Sequence, residues 1–125
     1  MATLKEIVFD ARDPAALARF WASALDGYAV RPYDDLEIAR LARLGHTPAT
    51  DPNVAVDGPG PTLFFQRRAG LDTGRGRIHL DVHCASRTVE IPRLERLGAR
   101  VRDVHDTYTV MLDPEDNAFC VQGPP

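Results

Sequence analysis

"EIVFDARDPAALARFWASALDGYAVR" (residues 6–31) and "HLDVHCASRTVEIPRLERLGARVR" (residues 79–102) share one order of events. Each opens on an alternating stretch, turns at a polar residue, continues as an amphipathic helix and stops at a glycine. Glu6 and His79 open the two strands, Asp13 and Ser86 occupy matching positions, and Gly27 and Gly98 close the helices. The offset is 73 residues through the strand (6 to 79, 13 to 86) and 71 after the helix (27 to 98). This repeat predicts a single α+β domain over residues 1–125, built from two βαβββ modules of about residues 1–72 and 73–125.

The local signals support that division. In residues 4–11, Ile7, Phe9 and Ala11 fall on one side of a strand and Glu6, Val8 and Asp10 on the other. Asp13 is suited to cap the following helix, and Pro14 to its first position, where a missing N–H costs nothing. Leu17, Phe20, Trp21, Ala24 and Leu25 then form an apolar stripe, and Gly27 ends it. "YAVRP" reads as a short strand and "DDLEIARLARLG" as a short helix. A Pro- and Gly-rich loop follows, with a weak strand at Val54–Val56, before the clear strand "TLFFQRR".

In the second module, Ile78, Leu80, Val82 and Cys84 alternate with His79, Asp81 and His83. A solvated outer sheet face and the wall of a polar cavity both fit that pattern. Ser86 or Thr88 is the expected cap of a helix carrying Val89, Ile91, Leu94 and Leu97; Pro92 requires its first turn to start late. "ARVRDV", "TYTVML" and "NAFCVQ" complete the module as strands.

Bulk properties narrow the function. Of the 125 residues 44% are hydrophobic and 26% charged, as in an ordinary globular domain. The formal net charge of −3 supplies no basic footprint for nucleic acid. No apolar run approaches the ~18 residues of a membrane span, and no charged-then-apolar leader is present. The expectation is a cytoplasmic protein without membrane or nucleic-acid partners. Cys84 and Cys120 have no zinc-ribbon spacing and project to opposite faces, so two unbridged thiols are expected.

"DARDPAALARFWASAL", "RIHLDV", "RLERLGARV" and "LDPEDNAFCV", in this order, resemble the vicinal oxygen chelate superfamily in its glyoxalase-like branch. The resemblance covers most of the chain outside residues 33–60. It implies that the modules curl a mixed sheet into a cup with the helices outside, that a small molecule binds inside the cup, and that the protein forms a homodimer. It does not select a reaction, because the same fold serves isomerases, dioxygenases, thiol transferases and drug-sequestering proteins.

The resemblance also assigns roles. Metal-dependent members place ligands on the first and last strand of each module, here Glu6, a residue near Gln66, His79 and Cys120. Only His79 matches the usual histidine and glutamate pattern. A Glu6/His79/Cys120 set suits zinc, or nickel as a second divalent ion, better than iron(II), magnesium or manganese. Glu6, His79 and Asp10 are the acid–base candidates. Asp81, Phe64, Gln66 and Cys120 are candidate ligand contacts; the layout of the family turns Phe64 and Gln66 inward. Trp21 reads most simply as core, with the end of the cavity as its other position. Residues 33–60, long and irregular, are the expected source of ligand specificity.

Three functions fit these readings. One is a metal-independent small-molecule binder resembling the bleomycin-resistance proteins, whose Glu6, Asp10 and Asp81 would favour a cationic or hydrogen-bond-donating ligand. Another is a metal-dependent lyase or isomerase using His79 and Glu6 on a small oxygenated substrate. The third is a dimerisation or regulatory module. The residues alone leave open whether the chain is an enzyme.

Overall fold

The structure, a computed structural model, describes residues 5–68 and 80–125. The chain divides into two compact units, Met1–Leu71 and Asp72–Pro125. It is α+β, with a four-stranded mixed sheet in each unit.

In the first unit the elements run β1 (Glu6–Ala11), α1 (Pro14–Ala24), β2 (Ala29–Val30), α2 (Asp35–Arg43), β3 (Asn53–Asp57) and β4 (Thr62–Arg67). The sheet order is β1-β4-β3-β2, with β1 parallel to β4 and the other neighbours antiparallel. Asp13 caps α1 by accepting the Ala16 N–H at 3.1 Å, with Pro14 next to it. Gly27 turns the chain at φ 73°, a conformation that a Cβ disfavours. The apolar side of α1 covers the side of the sheet carrying Phe9, Val54, Val56, Leu63 and Phe65, all buried. Phe9 stacks on Phe65 with ring centroids 4.8 Å apart.

The second unit has the same plan: β5 (Leu80–His83), α3 (Arg87–Arg96), β6 (Arg100–Val104), β7 (Tyr108–Leu112) and β8 (Ala118–Gln122), in the order β5-β8-β7-β6. Here β5 is parallel to β8. Leu94, Thr109, Met111, Phe119 and Val121 are buried.

The Val54–Val56 stretch is a full strand paired on both sides. Although α2 has helical periodicity, it buries only Leu41, leaving Leu36, Ile38 and Leu44 exposed. One local expectation, the late start of α3, needs correction, because Arg87 already belongs to the helix and Pro92 lies inside. Proline there removes the N–H that would reach the Thr88 carbonyl. Thr88 and Pro92 are both exposed, so water can take over that carbonyl.

Candidate functional site

With one sheet face of the first unit covered by α1, the other carries the polar positions of the strands. Cross-strand register places Val8 beside Phe64 and Asp10 beside Gln66, and sets Phe64 against Ala55 and Gln66 against Asn53. Alternation along each strand therefore turns Phe64 and Gln66 to the open face. Asp10 accepts the Gln66 side-chain N–H at 2.8 Å through one oxygen and Arg68 Nη1 at 2.9 Å through the other. Glu6 lies four residues back, about 13 Å along the strand, with its ion-pair contact to Lys5 at 3.8 Å. Asp10 and Gln66 are thus brought together, and Glu6 is held apart from them.

Beside Phe64 the open face forms a cavity of about 400 Å³. Phe64, Ala55 and Asn53 come from the sheet, Arg31, Tyr33 and Asp51 from the flanking segments, and Glu37 and Arg40 from α2. Asp34 caps α2 by accepting the Glu37 N–H at 2.8 Å, which sets the helix against this rim. Arg31 donates to both Asp57 oxygens at 2.8 and 3.0 Å, and that contact holds Asp57 below the usual carboxylate range. Arg40 donates to both Glu37 oxygens at 3.1 and 2.6 Å. The rim therefore carries charges that already offset one another.

Tyr33 donates to the buried Asp51 at 2.7 Å, and Asp51 also accepts the Asn53 N–H at 2.9 Å. Burial raises the Tyr33 pKa, and the Asp51 hydrogen bond raises it further. A phenol held protonated in this way stabilises the fold in full below the ordinary tyrosine pKa of ~10. That contribution is lost as pH climbs from there through the folded value. The urea midpoint of the wild type should therefore fall more steeply above about pH 10 than that of Tyr33→Phe. Parallel decline of the two proteins would show that this phenol does not couple to folding.

The open face of the second unit carries Asp81, His83, Cys120 and Gln122, with Asp81 opposite Cys120 and His83 opposite Gln122. Gln122 donates to Asp81 at 3.1 Å. Burial pushes the Cys120 thiol up, and the adjacent Asp81 carboxylate adds to the shift. This thiol is therefore a weak nucleophile at neutral pH. His83 lines a shallow cavity of about 520 Å³ with Tyr108, Gln122 and the 106–107 turn.

Several expected site residues are placed differently or lie beyond the description. His79 lies outside the described residues. Trp21, the candidate for the cavity's end, is core: it is 1% exposed and packs on Phe20 and Phe9 at 5.1 and 6.4 Å. Both cysteines are unbridged. Arg31, Tyr33, Asp51, Asn53 and Arg40 were not singled out by sequence reasoning. Their common signal was membership of, or adjacency to, the irregular stretch 33–60.

Of the donors expected to complete a metal set, the Gln66 amide is a poor fit. Gln66 is a neutral amide donating to Asp10, and Cys120 is a thiol whose deprotonation is opposed by burial and by Asp81. Among the described residues no three His, Cys, Asp or Glu side chains converge as a metal-binding group.

Paired βα-plus-three-strand units, each with one helix-covered and one open sheet face, define the two-module fold of glyoxalase-type proteins. The chain belongs to the glyoxalase-like domain family, whose family model matches residues 6–122. The fold is similar to that of a glyoxalase/bleomycin resistance protein/dioxygenase family enzyme from Burkholderia phytofirmans PsJN. That pair has a TM-score of 0.70 and 15% identity, covering 99% of this chain and 100% of the other. Fosfomycin resistance protein FosX from Mesorhizobium loti has a TM-score of 0.66 and 12% identity, over 98% and 91% of the two chains. The trypanothione-dependent glyoxalase I of Leishmania major has a TM-score of 0.65 and 12% identity, over 98% and 87%. Comparison with curated proteins gives no sequence match. Among the described residues no helix is long and apolar enough to cross a membrane.

Proposed function

We propose that this protein binds a small organic molecule on the open sheet face of its first unit, without a complete metal site. The cavity beside Phe64 carries the reading: its size suits a small ligand, and a flat aromatic floor meets a hydrogen-bonding rim. Asp10 and Asp81, expected to attract a cation, are engaged by Gln66, Arg68 and Gln122. The rim arginines are engaged by Asp57 and Glu37. A neutral, flat ligand with hydrogen-bonding groups suits this balance better than a cation. Asn53 and the lone pairs of the Tyr33 hydroxyl are the natural polar contacts, with Phe64 against the ligand's apolar face. A homodimer in the cytoplasm belongs to the same reading.

The test is a titration of isotope-labelled protein with a library of neutral aromatic amides and hydroxylated heteroaromatics, followed by amide chemical shifts. Binders should move Asn53, Ala55 and Phe64 together. Asn53→Trp, which fills the cavity from an exposed position, should weaken them about tenfold or more with little change in melting temperature. Failure of every compound to move those three residues would overturn the reading. The lyase or isomerase alternative through Glu6 and His79 gains nothing from Gln66, a neutral amide already donating to Asp10. One zinc or nickel ion per chain in tag-free protein, lost in His79→Ala, would overturn the metal-free reading.

A further inference from the structure

Asp51 lines the cavity beside Phe64 and is nevertheless only 3% exposed. Its two oxygens serve different donors. Oδ1 accepts the Asn53 backbone N–H at 2.9 Å, and Oδ2 accepts the Tyr33 hydroxyl at 2.7 Å. Tyr33 and Asn53 line the same cavity, so this buried carboxylate touches both of its uncharged polar groups.

The bond to Tyr33 has a direction. A carboxylate has acceptors only, so the one hydroxyl proton of Tyr33 is committed to Asp51. What remains of the hydroxyl is its lone pairs, which accept and cannot donate. The Asn53 amide does not impose such a choice, because it carries both a donor and an acceptor. Arg31 and Arg40 direct their donors at Asp57 and Glu37. The polarity of the Tyr33 oxygen is thus set by a buried neighbour before any ligand arrives.

We propose that Asp51 is a specificity-determining residue of this cavity, selecting flat neutral ligands that present an N–H or O–H donor to the Tyr33 oxygen. A heteroaromatic ring with a ring N–H or a hydroxyl is the matching class. A ligand that presents only an acceptor sets lone pair against lone pair and leaves the Tyr33 oxygen without a donor. This inference rests on the reading that the cavity binds a small neutral molecule, and it narrows that reading to one hydrogen-bonding polarity. Asp51 acts through Tyr33 and is a positioning residue.

Changing one atom group reverses the polarity. In Asp51→Asn the Asn53 N–H keeps an acceptor only if Oδ1 stays in place, which puts the amide nitrogen at the Oδ2 position beside the Tyr33 oxygen. The amide then donates to Tyr33, and the phenol proton turns to the cavity. A residue that served packing alone would weaken every ligand together and could not exchange their order.

Indole, a flat donor, and isoquinoline, a flat acceptor, are the probes, both neutral in mildly alkaline buffer. They are titrated into the full isotope-labelled chain and followed at the Asn53, Ala55 and Phe64 amides. The ratio of indole to isoquinoline affinity should fall about tenfold or more from wild type to Asp51→Asn. The Arg31 and Arg40 donors act on both proteins alike, so the change in ratio isolates the Tyr33 proton. Tyr33→Phe, which keeps the ring and removes the accepting oxygen, should lower the ratio about tenfold as well. It decides the matter if Asp51→Asn does not fold. An unchanged ratio in a folded Asp51→Asn would overturn the proposal and leave the ligand site in place. Indole that moves none of the three amides in the wild type would also overturn it, whereas the reading of the site itself falls only if the wider library fails too.

Discussion

Phe65→Ala should remove about 3–5 kcal/mol of stability, a large share of the ~5–15 kcal/mol typical of a whole domain. Phe65 is fully buried, stacks on Phe9 at 4.8 Å and sits in the central strand pair of the first unit, under α1. Its removal leaves a ring-sized void between β1, β4 and the helix, and rigid neighbours cannot collapse into it. The same strand turns Phe64 to the ligand face, so unfolding this core also dismantles the proposed cavity. Trp21, the only tryptophan, packs against Phe9 in this cluster, so its fluorescence reports the event. Urea unfolding followed at that signal should show the midpoint collapse in Phe65→Ala. Phe65→Leu should lose far less, because most of the volume is retained. A loss below about 1 kcal/mol for the alanine variant would mean that this stack is not the centre of the unit.

Asp113→Ala should be the next most damaging change, by about 3–5 kcal/mol, since an unpaired buried donor costs about 1–3 kcal/mol. Asp113 is fully buried at the turn between β7 and β8. One of its oxygens accepts the Glu115 N–H at 2.8 Å and the Asn117 N–H at 3.0 Å, and Asn117 Nδ2 reaches both oxygens at 3.1 and 2.9 Å. This network holds a turn in which Asp116 takes a positive φ of 64°. Alanine would remove the acceptor that these donors share. The turn also sets the register that puts Cys120 opposite Val110, so its loss should expose Cys120 to alkylation. Hydrogen exchange at the Glu115 and Asn117 amides, read beside the melting temperature, checks both effects. Unchanged protection of those amides would show that the backbone holds the turn without the carboxylate.

Local periodicity carried the fold into the sequence. Phe9 against Asp10, Phe65 against Gln66, and Phe119 against Cys120 are neighbours in sequence that end on opposite faces, because successive side chains on a strand alternate. The sequence alone also placed the Asp13 cap, since its acceptor lies three residues from the donor it serves. Ser86 had the same credentials, yet its hydroxyl turns to Pro125, a partner 39 residues away. Pro92 was misjudged for a similar reason, because its cost depends on whether the carbonyl it frees meets water.

The candidate site was less legible. The contact between Asp10 and Gln66 spans 56 residues, and that between Tyr33 and Asp51 spans 18. No spacing rule joins such pairs. Helix α2 was legible as a short helix; that burial of Leu41 alone leaves it as a rim for the Phe64 cavity was not.

The sequence by itself determined that there are two alternating, helix-bearing repeats and which side chains share a strand face, since both follow from backbone geometry over a few residues. Only the tertiary structure decided which polar groups meet. It tied Asp10 to Gln66 and Arg68, closed Arg31 on Asp57, and set Tyr33 on the buried Asp51. Those outcomes depend on strand register and long-range packing, where a shift of one residue changes every partner.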